Sequence, residues 1–114
     1  MGTFEYEGKK INIPNKLLYI THIPINDASG EKSKLVGDWV SDDQLEHLIT
    51  HYGLSGMVNF LEKEIKVYKV RVSSPDNYKY CEIEGEKHSV SSISDDIKNS
   101  ITAFERIRND ILKN

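Results

Sequence analysis

The chain opens with two short stretches in which apolar and polar residues alternate. Phe4 and Tyr6 interleave with Glu5 and Glu7, and Ile11 and Ile13 resume the alternation after a turn at Gly8. A period of two sends successive side chains to opposite faces, so this segment predicts a β-hairpin ending at Pro14. From Leu17 to Ile25 the apolar residues occupy both parities, with Leu17, Leu18, Tyr19, Ile20, Ile23 and Ile25. That density predicts a strand covered on both faces and central in a sheet. Residues 26–38, with Gly30, Lys32, Lys34 and Gly37, read as a polar loop, the longest irregular segment of the chain. Loops of that length are often either functional or simply mobile.

The period then changes. Leu45, Leu48, Ile49 and Tyr52 fall at i, i+3, i+4 and i+7 and predict an amphipathic helix. Ser41 with Gln44 three residues on forms a capping box, and Val40 and Leu45 are placed to staple across it. Gly53 supplies the left-handed stop. Ser55 opens a second, short helix that turns Met57, Val58, Phe60 and Leu61 inward, after which Lys66 to Val72 reads as a strand. A turn at 73–77, a strand from Tyr78 to Ile83, a turn at Glu84-Gly85-Glu86 and an edge strand over 87–90 follow. Ser94 is placed to cap the last and longest helix, 95–112, with Ile97, Ile101, Phe104, Ile107 or Arg108, and Ile111 on its buried face. The sum is one α+β domain over 1–114. Its sheet is mostly antiparallel, of about four to six strands, packed against a long C-terminal helix and one or two shorter central helices.

Composition narrows the setting. With 114 residues, 38% hydrophobic and 29% charged, the chain is long enough for one core without a staple. No apolar run reaches the ~20 residues that span a bilayer. The acidic, alternating N-terminus differs from the basic-then-apolar layout of a signal peptide. Gly2 opens a myristoylation pattern that Tyr6 breaks, since a Ser or Thr belongs there. A lone Cys81 has no partner for a disulfide or a CxxC pair. These features point to the cytoplasm. A net charge of −3 lowers the expectation of a duplex-DNA binder, whose affinity comes from neutralising phosphates. The chain holds 13 Ile and 12 Lys against two Ala and three Arg, the bias of an AT-rich coding sequence, which suggests a low-GC bacterium or a phage or mobile element within one.

Several residues carry candidate chemistry. Asp43, His47 and His51 line up on one helical face and offer carboxylate and imidazole to a transition metal. The two histidines lie roughly 110–150° from the centre of the apolar stripe, which sends them outward and leaves the metal set without supporting residues. The Ser-Asp-Asp starts of both main helices (41–43 and 94–96) are accounted for by capping and by carboxylates near the positive helix end. His22, within the apolar strand, reads as a satisfied, partly buried side chain, and Cys81 as a structural thiol with Lys79 two residues away. Gly30-Glu31-Lys32-Ser33 shares residue types with the end of a phosphate-binding P-loop, but the spacing fails.

A hairpin over 66–83 would place Lys69, Arg71 and Lys79 on one face, with Arg71 opposite Lys79. It reads as a solvated face or one relieved by Glu82, Glu84 or a helix carboxylate, and alternatively as an anion or acidic-partner site. Trp39 is expected in the core, or alternatively as an interface anchor beside Lys32 and Lys34. No residue is assigned a catalytic role and no cofactor is implied.

Three functional expectations follow. The first is a non-enzymatic protein-binding module that occludes a host protein, as small inhibitors and immunity or anti-defence proteins of phages and mobile elements do. The second is a binder of an anionic ligand or nucleic acid through the basic hairpin face. The third is a small hydrolase or nuclease using His22, His47, His51 or Cys81. The expected partner is another protein, not a membrane. The expected state is a monomer or a small homo-oligomer, since the 87–90 edge is open to pairing with a copy.

Overall fold

The computed structural model describes residues 2–24, 33–73 and 80–113. Strands β1 (Gly2–Tyr6) and β2 (Lys9–Ile13) form the expected antiparallel hairpin, with Phe4 opposite Ile11. A second sheet holds β3 (Leu18–Pro24), β4 (Ser33–Trp39), β5 (Tyr80–Ile83) and β6 (Glu86–Ser89), in that spatial order. Neighbours in it are antiparallel except β4 and β5, which run parallel. A parallel pair needs a crossover, and α1 (Asp42–Ser73) supplies it. Helix α2 (Ser94–Leu112) ends the described chain, packs along α1, and lies against β2 and β3. The α+β class is thus as expected, with the hairpin forming a small sheet of its own.

Three elements differ from the pattern-based expectation, each for a local reason. Residues 33–39 are a strand rather than the end of a loop. The inward positions of β4 are Leu35 and Gly37, and glycine contributes no apolar mark to an alternating pattern. A larger residue there would press on its neighbours. A Cβ on Gly37 would lie 3.1 Å from Leu18 Cδ1, 3.2 Å from Ile83 Cγ1 and 3.3 Å from Cys81 Sγ. Residues 26–32 of the expected loop lie outside the described residues.

The second difference is the helix over 66–73. Tyr68, Val70 and Val72 alternate as in a strand, yet Leu61, Ile65, Tyr68 and Val72 also recur at i, i+4, i+7 and i+11. The helical set wins because the helix carries it into the core, where Leu61, Ile65 and Tyr68 are buried. Gly53 does interrupt the helix, with φ 73° and ψ 173°, a region almost closed to other residues, and a second helical half resumes beyond it. That half runs to Ser73 rather than stopping short, so the C-terminal helix is not the longest element. The 66–83 hairpin and its basic face do not form.

The third difference is the place of β3, which is the outer strand of its sheet, not a central one. Its edge is nevertheless closed. The peptide groups of Leu18 and Ile20 that turn away from β4 meet side chains of both helices. Leu18 N–H donates to Ser100 Oγ at 3.0 Å, and the Tyr68 hydroxyl donates to Leu18 O at 3.0 Å. Ile20 N–H donates to the same hydroxyl at 2.7 Å, and Arg71 Nη1 reaches Ile20 O at 3.4 Å. Ser100 in turn donates to Asp96 O at 2.9 Å. Nor is β3 covered on both faces: Leu18 and Ile20 point into the core, but on the other parity Tyr19 is only half-buried and Ile23 is 40% exposed.

Capping follows the sequence at one helix only. Ser41 N–H donates to Gln44 Oε1 at 2.9 Å, and Gln44 N–H donates to Ser41 Oγ at 3.3 Å, a reciprocal box. At α2 the cap position is Ile93 with no side-chain bond, so Ser94 is the first helical residue rather than the cap. The hairpin is clipped to the far end of α2 by Asn12, whose N–H donates to Asp110 Oδ2 at 2.9 Å, and by Lys9 donating to Lys113 O.

Replacing Tyr68 with Phe leaves Leu18 C=O and Ile20 N–H buried without partners, each costing about 1–3 kcal/mol. Tyr68→Phe is expected to lower urea-unfolding stability by about 2 kcal/mol or more, and Ser100→Ala by about 1–2 kcal/mol. A Tyr68→Phe loss below about 0.5 kcal/mol would show that the hydroxyl is not what holds the strand edge.

Candidate functional site

The sequence-derived candidates are scattered by the fold. His47, His51 and Asp43 are exposed on the first half of α1. Among the described residues no group of three or more His, Cys, Asp or Glu is arranged to hold a metal ion. His22 is exposed on β3, contrary to the partly buried position expected of it. Lys69 is exposed on α1, whereas Arg71, two residues on, is only 5% exposed. Successive helical residues diverge by about 100°, so these two cannot share a face as they would on a strand. Lys79 and Lys32 lie outside the described residues. Lys34 is on β4 and pairs with Glu82 of β5 at 3.2 Å.

Cys81 is fully buried on β5, beneath Gly37. Burial pushes its thiol up to about 11, with Asp38 and Glu82 adding to the rise and Arg71 opposing it. A nucleophilic cysteine needs the opposite environment, exposed and electropositive. Sequence reasoning missed that His88 is its cross-strand partner. No hydrogen bond joins the two, and His88 instead lies 3.8 Å from Glu86.

What the fold does assemble is a row of aromatic rings where α1 passes the closed edge of β3. Tyr19 of β3 stacks on Phe60 of α1 with centroids 6.1 Å apart. Phe60 stacks on Tyr52 at 5.0 Å, and Tyr52 takes His51 edge-on at 5.1 Å. The break at Gly53 makes this possible, since it separates the helical half carrying Tyr52 from the half carrying Phe60. Tyr19 and Phe60 are half-buried, while Tyr52 is 43% exposed. Along α1 the same side continues through Glu64, Val67 and Arg71, at i+4, i+7 and i+11 from Phe60.

No family model, curated protein or solved structure matches this chain.

Charge along the row is shaped by burial. Glu64 is held above the usual carboxylate range by burial, against the pull of Arg71 and Lys63. Tyr19 is likewise raised by burial, then by Glu64 and Tyr52, with Arg71 opposing. Arg71 Cζ sits 5.2 Å from the Tyr68 ring centroid, and its Nε has no hydrogen-bond partner. Trp39, expected in the core, is 38% exposed with Lys16 Nζ 5.7 Å from its ring centroid. It sits at the last position of β4, where the strand runs out beyond the core.

Two outcomes follow. A carboxyl whose folded value is raised contributes its full stability below its unfolded value, and loses that contribution as pH rises through the folded value. Glu64→Gln is therefore expected to melt at a higher temperature than the native protein near pH 7, with the gap closing toward about pH 4. Equal melting temperatures at neutral pH would contradict the burial of this carboxylate. Cys81 is expected to react with a disulfide reagent about a thousandfold or more slowly in the native protein than in urea, because access requires opening of the core.

Proposed function

We propose that this chain is a non-enzymatic protein-binding module that acts by occluding another protein. The observation that carries this reading is the partly exposed aromatic row of Tyr19, Phe60 and Tyr52, continued along α1 by Val67, which is 36% exposed. Aromatic side chains with rotamers already held by stacking lose little entropy on binding. They are also enriched among the residues that dominate interface energies. The nucleophile that a hydrolase would use, Cys81, is buried and kept protonated. The basic hairpin that would have gathered Lys69, Arg71 and Lys79 is replaced by a helix. No helix among the described residues is long and apolar enough to cross a membrane. The AT-biased composition supports a small inhibitor or immunity-type protein of a phage or mobile element.

The test is affinity capture from a low-GC bacterial lysate with the native chain and with Tyr52→Ser/Val67→Ser. Loss of the Tyr52–Phe60 stack is expected to cost about 1 kcal/mol, so capture is compared at a temperature where circular dichroism shows both proteins folded. Truncating an interface anchor costs about 2 kcal/mol, so a specific partner is expected to be held roughly thirtyfold more weakly by the variant. A partner retained equally by both proteins, or none retained by either, counts against the aromatic row as the binding surface.

A further inference from the structure

A groove of about 340 Å³ lies between the two helices, on a different side of α1 from the aromatic row. Lys69 and Val72 of α1 line one wall, and Lys98, Ile101 and Thr102 of α2 line the other. Ile101 is 8% exposed and Val72 half-buried, so the depth of the groove is apolar, whereas both lysines are exposed at its rim. The two ion pairs among the described residues, Lys34 with Glu82 and His88 with Glu86, involve neither ammonium. Thr102 already donates its hydroxyl hydrogen to Lys98 O at 3.2 Å, so its oxygen faces a ligand only as an acceptor. Among the described lining residues, the side-chain donors open to an anion are therefore Lys69 and Lys98.

We propose that this groove binds a small amphipathic anion: a carboxylate held between Lys69 and Lys98, with a short aliphatic chain lying on Val72 and Ile101. The volume falls at the lower end of the roughly 300–1,000 Å³ of small-ligand sites, and clefts between packed helices are a common place for them. Two lysines on opposite walls, neither in an ion pair, favour a negative head, and the apolar Val72 and Ile101 favour a chain over a second charge. A tailless anion gains only screened surface attraction, and a neutral alcohol of equal length gains only the apolar contact. The site is independent of the protein-binding surface, because it uses none of Tyr19, Tyr52, Phe60 or Val67.

The experiment is titration of octanoate into the isotopically methyl-labelled full chain, followed by NMR. The expected result is selective movement of the Val72 and Ile101 methyl resonances with Kd of about 1 mM or tighter. Acetate and 1-octanol are expected to bind at least about tenfold more weakly. Lys69→Gln/Lys98→Gln, whose exposed positions leave the melting temperature unchanged, is expected to weaken octanoate about tenfold or more, and added salt to weaken it in the native protein. Absence of movement at those methyls, equal binding of 1-octanol, or undiminished binding by the double variant each overturns the proposal. So does movement produced by an acidic, Leu-rich peptide but not by octanoate, which would make the groove a contact for a polypeptide.

Discussion

The arrangement of this protein depends on how the outer edge of β3 is satisfied. A strand beside a core exposes peptide groups that neither water nor another strand reaches, and each one left bare is costly. Here Ser100, Tyr68 and Arg71 stand in for a fifth strand, meeting the four groups of Leu18 and Ile20. The Tyr68 hydroxyl does the most, donating to one peptide and accepting from the next, while its ring meets Phe104 edge-on at 5.1 Å. Because the bonds come from both helices, they fix where α1 and α2 sit along the sheet. Directional bonds specify that placement more narrowly than apolar contact alone.

The same seam explains where the ionisable residues went. Arg71 is drawn inside by its bond to Ile20, and Glu64 and Tyr19 are half-buried nearby, so perturbed groups gather at a structural joint. Perturbed titration often marks an active site, but ion-pair and hydrogen-bond networks that serve structure produce it as well. The surface is left with apolar residues at its margins: Tyr52 at the helix break, Val67 and Val70 on α1, and Trp39 where β4 ends.

Much of this was legible in the residues. The first hairpin, the Ser41–Gln44 box, the break at Gly53 and the buried face of α2 each follow from local pattern, because local bonds or a single apolar stripe determine them. The failures share a cause. β4 was hidden because its second inward residue is Gly37, chosen for a close approach that only the tertiary structure reveals. The end of α1 was hidden because one run of valines and tyrosine satisfies two periods at once. β3 looked central because Tyr19 and Ile23 put apolar residues on its second face, although that face is only partly covered. The aromatic row was illegible for a different reason, since Tyr19 and Phe60 are brought together across 41 residues by the crossover.

Closing one side of the four-stranded sheet also limits how copies of the protein can add to it. The outward groups of Leu18 and Ile20 on β3 are already taken by side chains, whereas the strand at the other side of the described sheet is β6. A surface that meets its own equivalent across a twofold axis uses up both open ends in a single contact. A β6 edge that met its own copy in this way would close on itself rather than leave a further ladder at that end.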